Sequence, residues 1–430
     1  MAGYYPLEPS LWAATAPAAP PTPPLAAPAS ADVCVIGGGY AGLSTALHLA
    51  ERGIKAIVLE AREPGFGGSG RNGGQVIPGL KYDPDELIAM LGEERGRQLI
   101  SFAGGTADVV FDLIARHRMD VPHLRKGWIQ GAHDDAAVRL AERRTRQWER
   151  LGAPVQFLDK PDMDRLTGNN KYPGGWLDRR GGALQPLAYA RGLAKAALGA
   201  GARIHGQTAA TSLTRAGKQW TVGTATGHTV TADQVVLCTN GYTGDLWPSL
   251  RQTVITPNSF QFATEPLSDN LRKSVLPEGQ VTSDTRKLLL YYRLDHMGRL
   301  LIGGRGPFRE PKGDADWAHL ERVLPMLYPQ LAGTPIAYRW CGRLTITPDH
   351  MPHLHEPAPG ILIEIGCQGR GVGLQTAMGK AMAEYVASRD ARALPLPFTP
   401  MRTIPFHFLQ RAYVSAAVTW YRLTSGGMSA

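Results

Sequence analysis

The stretch VCVIGGGYAGLSTALHLAERGIKAIVLE, residues Val33 to Glu60, narrows what this chain can become more than any other. An apolar run from Asp32 to Ile36 stops at a glycine cluster. Gly42 to Arg52 then repeats apolar residues at helical spacing, Gly53 closes that helix, and Ile54 to Glu60 reads as a second strand. The turn carries Gly37, Gly39 and Gly42 in the spacing G-x-G-x-x-G, with Tyr40 and Ala41 between the last two. Gly37 permits the tight turn, Gly39 lets backbone approach a pyrophosphate, and Gly42 allows close packing of helix on strand. A phosphate there meets unpaired amide donors and the positive end of the helix dipole. Glu60, followed by Ala61, ends the second strand where an acid meets ribose hydroxyls. Glycines alone also suit an unrelated α/β turn; strand, helix and acid together point to a bound dinucleotide.

The identity of that dinucleotide depends on the loop after the second strand. Residues Gly65 to Gly74, with Ser69, Gly70, Arg71, Asn72 and Gly73 in SGRNGGQ, supply amides and a cation where a second nucleotide half lies. A nicotinamide dehydrogenase needs no such loop. No second G-x-G-x-x-G is framed by strand and helix; GGRGPF at Gly303 comes after a hairpin strand. A pyridine-nucleotide domain is therefore not expected, and electrons come from the bound substrate.

The 430 residues, 43% apolar and 19% charged, suffice for two or three globular domains. The formal net charge is +9, but 46 basic residues are interleaved with 37 acidic ones, which excludes a dedicated nucleic-acid face. AERRTRQWERLG, with Arg143, Arg144, Arg146 and Arg150 beside Glu142 and Glu149, reads as a solvated helix face. Cys34, Cys238, Cys341 and Cys367 show no metal-ligand or C-x-x-C spacing, so a reducing, cytoplasmic setting is expected. No run reaches the roughly 18 apolar residues of a membrane span.

Along the chain, residues 1–30 are an Ala/Pro-rich leader expected to run extended over the surface. Asp83 and Pro84 open a helical pattern that continues through Arg118, and another covers Asp134 to Leu151. From Leu184 come a helix, the strands ARIHG, AATSLTRA, QWTVGTATG and HTVTA, and the buried strand QVVLCTNG. Residues Thr253 to Cys341 read as antiparallel strands, with a hairpin through Asp295 to Gly298. GILIEIGCQGRGVGLQTAMGK is strand, glycine turn and helix, and an amphipathic helix lies near Leu409 to Leu423.

At VIGGGYAGLS, VLEA, GFGGSGRNGGQV, QVVLCTNGYTG, TPDHMP and GCQGRGVG the chain resembles the D-amino-acid oxidase family of glutathione-reductase-type flavoproteins. The resemblance covers most of the chain, and within the family it is similar both to bacterial γ-glutamylputrescine oxidases and to L-pipecolate oxidases. It implies an α/β (α+β) fold, with a Rossmann-like FAD domain built from residues 31–85, 155–245 and 345–393. A discontinuous antiparallel-sheet substrate domain would take 86–154 and 246–344, and a tail with a helix 394–430. It places Gly37, Gly39, Gly42 and Glu60 on the ADP half of a non-covalent FAD, and Ser69, Arg71, Asn72 and Gly73 near its pyrophosphate and flavin. Asn240 and Gly241 become a second contact. The turn Gly369, Arg370, Gly371, Val372 and Gly373 starts a helix facing the flavin's pyrimidine edge, where the dipole favours negative charge. The same turn also suits a plain strand-to-helix corner.

Hydride transfer from a C–N carbon asks for positioning rather than a triad. Candidates on the expected floor are Tyr291, Tyr292, Arg293, Arg305, Trp340, Arg343 and, from the late turn, Arg370. Arginine offers a substrate carboxylate two parallel hydrogen bonds, although aromatic and basic residues also occur as ordinary strand surface. His350, His353 and His355 fall on a family turn interrupted by Pro352, so no metal is expected. Cys341 misses by one residue the position that tethers flavin in sarcosine oxidases, and RLLIGGRG lacks the lysine by which those enzymes activate oxygen. The expected activity is oxidation of a small amine or imino or amino acid to an imine, with electrons passing to oxygen or another acceptor. A flavin-binding electron carrier or partner-assembled subunit is the alternative. The last helix, with Arg411, Trp420 and Arg422, either docks on the body or makes a peripheral membrane contact.

Overall fold

The structure, a computed structural model, describes residues 5–424, with side chains through residue 421; Arg422 and residues 425–430 of the expected tail fall outside that description. The first half runs α1 (Leu11–Thr15), β1 (Ala29–Ile36), α2 (Tyr40–Ala50), β2 (Ala56–Leu59), β3 (Gln75–Val76), α3 (Pro84–Leu91), α4 (Glu93–Arg116) and β4 (His123–Leu124). It continues through β5 (Trp128–Ala132), α5 (Asp135–Arg150), β6 (Val155–Leu158), α6 (Lys160–Thr167), β7 (Gly174–Asp178), β8 (Gly182–Leu184), α7 (Pro186–Gly199) and β9 (Arg203–His205). Next come β10 (Ala210–Ala216), β11 (Gln219–Thr224), β12 (Thr229–Leu237), β13 (Asn258–Pro266), α8 (Asp269–Arg272), β14 (Val281–Asp284), β15 (Tyr291–Leu294) and β16 (Arg299–Arg305). The last part holds α9 (Ala318–Glu321), α10 (Val323–Leu327), β17 (Ile336–Arg343), β18 (His353–Ala358), β19 (Ile361–Ile365), α11 (Gly371–Ser388) and α12 (Gln410–Thr424).

The first sheet has the order β10-β11-β12-β1-β2-β9, with β19 on β12 and β18 on β19. Its centre is parallel: Val35 of β1 lies opposite Val58 of β2 and Val236 of β12. VCVI at the end of β1 is fully buried: Val33 and Val35 pack in the cluster with the helices, and Cys34 and Ile36 in one with Leu25, Trp220, Leu250 and Val254. HTVTA and QVVLCTNG form one strand, β12, whose first half pairs with β11 and whose last residues pair with β19. The helical pattern expected through Arg118 is two helices. Gly92, at φ 78°, ends α3 and begins α4, and Asp83 with Glu86 makes a capping box at the start.

The second sheet has the order β17-β13-β16-β15-β14-β5-β7-β6. Its registers align one row across the strands: Gln130, Ser283, Tyr291, Gly303, Gln261 and Trp340. Val155–Leu158 and Gly174–Asp178, expected with the cofactor segments, join this sheet as β6 and β7. The reason is the pairing of Trp128 to Ala132 with Gly174 to Asp178, which a linear reading of strand order does not reveal.

The leader is not a surface strap throughout. Ser10 caps α1, and Leu7, Leu11 and Trp12 are buried against Leu187 and Trp340. The spacing of Leu7, Leu11 and Trp12 gives a short apolar face that the Ala/Pro composition obscures. α4 is long and apolar enough to cross a bilayer, contrary to the expectation of no such run, but over half of that window is buried inside the protein, where it packs on α3 and α11.

Candidate active site

A cleft of about 1510 Å³ is lined by the glycine turn after β1, the loop at residues 66–73, the floor of the second sheet and the start of α11. At its first end the three motif glycines meet the demands that the sequence set. Gly37 has φ 112°, and a Cβ there would lie 2.7 Å from the Cys238 carbonyl oxygen. A Cβ on Gly42 would lie 2.0 Å from the Gly37 carbonyl oxygen, so Gly42 faces the strand and does not line the cleft. Gly39 stands at the N-cap of α2 with no capping side chain of its own, and Gly38, Gly39 and Ala41 line the cleft. Ser69 Oγ accepts from the Tyr40 amide at 3.0 Å, so this hydroxyl sits at the same helix start. Tyr40 is buried and Ala41 lines the wall.

Glu60 accepts the amides of Gly38 at 2.7 Å and Arg62 at 2.8 Å, and burial pushes its carboxyl pKa up against those donors. Ala61 lines the wall beside it. An anion cradle without side chains, an acid beside it and a roomy cleft fit the adenosine and pyrophosphate parts of FAD. Asn240, at φ 38°, and Gly241 line the opposite wall. Asn240 Oδ1 accepts from the Thr345 hydroxyl at 2.5 Å and from the Gly366 amide at 3.1 Å, tying the end of β12 to β19.

The glycine loop rests on the second sheet. Gln261 Nε2 donates to the Arg71 carbonyl at 2.6 Å, and Gln75 Nε2 donates to Thr282 and Tyr292 carbonyls. The Tyr291 ring lies across Gly303, where a Cβ would be 2.2 Å from Tyr291 Cζ, and its hydroxyl is 2.7 Å from Ser259 Oγ. A Cβ on Gly73 would meet the same ring at 2.7 Å. Glycines at 73 and 303 therefore let one aromatic side chain lie flat between loop and sheet.

Several expected residues face elsewhere. Arg71 lines the cleft, but its guanidinium is turned into the protein: Nε donates to the Phe66 carbonyl at 2.7 Å and Nη1 approaches the Pro6 and Cys341 carbonyls. Asn72 braces the loop through Tyr40 Oη, the Gly68 and Ser69 carbonyls and the Gly74 amide. Arg293 is buried outside the lining and donates to the Gly73 and Leu184 carbonyls, both at 2.7 Å, with Trp12 under its plane. Gly70, Gly74 and Gly373 are likewise absent from the lining; a Cβ on them would meet the Gly65 carbonyl, the Leu184 carbonyl and Thr106 respectively. Tyr292 points to the opposite face and packs in the core with Tyr328. Trp340 is buried on Trp12, and Cys341 faces the core rather than the cleft.

Arg343 does line the cleft and pairs with Glu310 at 2.7 Å. Arg305 lines it as well, and burial lowers its pKa to about 10. Gly369, at φ 76°, leads into Arg370, which stands at the start of α11 with Gly371 and Val372 beside it on the wall. Arg370 Nη1 donates to the Pro78 carbonyl at 2.7 Å, its guanidinium lies 5.2 Å from the Trp128 ring centre, and burial lowers its pKa to about 10. His350 lines the cleft, whereas His353 and His355 stack on each other and bind Thr399.

Three contributions to the cleft go beyond the sequence expectations. Arg144, which the charge pattern assigns to a solvated face, reaches into the cleft: it pairs with Asp83 at 2.5 Å, donates to Gln130 and lies over Trp176. A signal for this exists, since Ala137, Ala141, Thr145 and Trp148 form the buried stripe of α5 and Arg144 borders it. Lys81, just before the capping box, lines the same wall. The last helix also contributes: Tyr413, Val414, Ala417, Val418 and Tyr421 of α12 line the cleft, and Lys287 lies 4.8 Å from the Tyr421 ring centre. Phe408 and Trp420 face outward, 80% and 64% exposed.

Comparison with known proteins places this architecture. The model of FAD dependent oxidoreductases matches residues 32–385. The gamma-glutamylputrescine oxidoreductase of Escherichia coli (strain K12) is 36% identical over 398 residues, 89% of this chain and 92% of that protein. A probable oxidoreductase of Rhizobium meliloti (strain 1021), named OrdL, is 31% identical over 421 residues, 96% of each chain. Among solved structures, glycine oxidase from Geobacillus kaustophilus superposes with a TM-score of 0.71 at 20% identity, covering 87% of this chain and 100% of that one. The glycine cradle, the arrangement of the two large sheets and these matches agree: the chain belongs to the FAD-dependent oxidoreductase family, and FAD is its cofactor.

Proposed function

We propose that this oxidoreductase removes a hydride from the carbon of a C–N bond in a small amine, amino acid or imino acid, leaving an imine that water hydrolyses. The carrying observation is the 36% identity, over nearly the whole chain, to a gamma-glutamylputrescine oxidoreductase. Bound FAD supplies the hydride acceptor. The chain's own residues do the positioning: amides at the starts of α2 and α11 and the Glu60 carboxylate take the cofactor's polar groups. The Tyr291 ring, held flat by Gly73, Gly303 and Ser259, forms the floor on which the substrate carbon is placed. Burial raises the Tyr291 pKa, so its hydroxyl stays protonated and acts as a hydrogen-bonding group rather than a base. The inner face of α12 lines the cleft, where its apolar side chains would limit the access of water. Electrons leave to oxygen or another acceptor, and the exposed Phe406, Phe408, Leu409 and Trp420 are the surface through which a peripheral membrane contact would be made.

The test is anaerobic: FAD-loaded protein is mixed with L-pipecolate, sarcosine, γ-glutamylputrescine and a wider amine panel while flavin absorbance is followed. Bleaching by at least one amine is expected, and re-oxidation in air then separates oxidase from dehydrogenase. No bleaching across the panel overturns the proposal and favours a flavin-binding electron carrier.

A further inference from the structure

The wall of the cleft formed by α5, β5 and the segment before α3 carries more positive charge than it neutralises. Lys81, Arg144 and Arg370 all line the cleft there. Asp83 pairs with Arg144. Asp178, also near Arg370, is already paired with Arg180 at 2.6 Å. Three cations thus share one carboxylate, that of Asp83, which Arg144 already holds, leaving an excess of two positive charges. Lys81 has neither a hydrogen bond nor an ion pair within the described residues, and its pKa is lowered by burial and then by Arg370 and Arg144. His350, on the same cleft, is depressed by burial and by Lys81.

Arg144 and Arg370 are oriented by aromatic, amide and carbonyl groups, with Asp83 as the one opposing charge, on Arg144. Arg370 lies over Trp128 and Arg144 over Trp176, and these two tryptophans meet edge to face with centres 5.5 Å apart. Gln130 Oε1 accepts from both Arg144 and Trp176. A guanidinium oriented by stacking keeps donors available for an anion. Like charges gathered on one wall of a cleft repel one another until an anion offsets them. A free carboxylate is the chemistry that this arrangement accepts.

The row across the second sheet sets the distance. Gln130 on β5 is in register with Ser283 on β14, and Ser283 with Tyr291 on β15. Two strand spacings separate the cationic wall from the Tyr291 floor, roughly 10 Å. That is too far for the carboxylate of an α-amino acid or of a ring such as pipecolate when its C–N carbon lies over Tyr291. Arg305 on β16 lies on the other side of Tyr291, three spacings or roughly 14 Å from β5.

We propose that Lys81, Arg144 and Arg370 form a subsite for a carboxylate carried at the far end of an extended substrate whose amine end lies at Tyr291. This rests on the oxidoreductase reading above and narrows its substrate class to long amines ending in a carboxylate, which a γ-glutamyl amine satisfies and pipecolate does not.

The test uses the FAD-loaded protein and matched probes. Octanoate and its neutral counterpart octanamide are titrated while tryptophan fluorescence, to which Trp128 and Trp176 beside the subsite contribute, is followed. Octanoate is expected to bind at least about tenfold more tightly, the scale of one charged hydrogen bond. Lys81→Met should abolish that preference without changing octanamide affinity, and Arg305→Met should leave it intact. Turnover is compared in parallel for ω-aminooctanoate and octylamine, with the carboxylate preferred in kcat/KM by a similar factor and the preference lost in Lys81→Met. Equal binding of octanoate and octanamide overturns the subsite, as does a preference that survives Lys81→Met or vanishes in Arg305→Met. Absence of turnover with every amine defeats the oxidoreductase reading instead, and the fluorescence result still decides the subsite by itself.

Discussion

Arg293 Nε donates to the carbonyl oxygen of Gly73 at 2.7 Å, from a position fully behind the cleft floor. The same guanidinium donates to Leu184 and Leu294 carbonyls and stacks on Trp12, so one buried cation joins β15, β8, the glycine loop and α1. Replacing Arg293 by Met keeps volume and removes three donors from buried carbonyls. A stability loss of about 3 to 5 kcal/mol is expected, with reduced FAD content after purification. Chemical denaturation of wild type and Arg293→Met measures it; an unchanged midpoint would show that the network is dispensable.

Gly42 and Gly53 separate steric need from backbone preference. A Cβ on Gly42 would sit 2.0 Å from the Gly37 carbonyl oxygen, in the middle of the phosphate turn. Gly53 has φ 75° and open space around it. Gly42→Ala should therefore yield protein without flavin absorbance, while Gly53→Ala should load FAD normally and lose only about 1 kcal/mol. The ratio of flavin to protein absorbance distinguishes the two.

Trp12 is almost completely buried between Leu187 and Trp340, and its Nε1 donates to the Asn72 carbonyl at 2.8 Å. Trp12→Ala should cost about 3 to 5 kcal/mol through lost packing and an unpaired carbonyl. If residues 5–16 merely lay on the surface, thermal unfolding of the variant would match wild type.

Glu364 carries the clearest pH signature. Burial raises its carboxyl pKa from 4.5 to about 7, partly offset by the Gln375 amide at 2.8 Å, and its second oxygen has no hydrogen-bond partner. The folded state thus holds a proton that the unfolded chain releases. Its stabilisation is fully present below pH 4.5 and is lost as pH rises through about 7. The change amounts to about 3 kcal/mol at about 1.4 kcal/mol per pKa unit. Glu364→Gln should gain on wild type as pH increases from about 5 to about 8 in thermal unfolding. A constant difference across that range would place the proton elsewhere.

The glycine cradle is legible in the sequence because it is local. Gly37, Gly39 and Gly42 sit within six residues of one another, Glu60 stands at the end of the next strand, and each is constrained by neighbours that chain geometry already supplies. Periodicity likewise reveals α5, the hairpin of β15 and β16, and the start of α11. The cationic wall is not legible. Lys81, Arg144 and Arg370 are far apart in the chain, and the packing of α3 and α11 on α4 and of α3 on α5 brings their elements to one cleft. The direction of Arg293 is equally hidden, since residue type and strand parity allow it to face a ligand, whereas the Gly73 carbonyl and the Trp12 ring claim it for the interior. Sequence by itself determined the backbone conformations that a nucleotide needs, because glycine spacing acts through short-range sterics. Tertiary structure alone decided which charges face the cleft, because that depends on contacts between residues far apart in the chain.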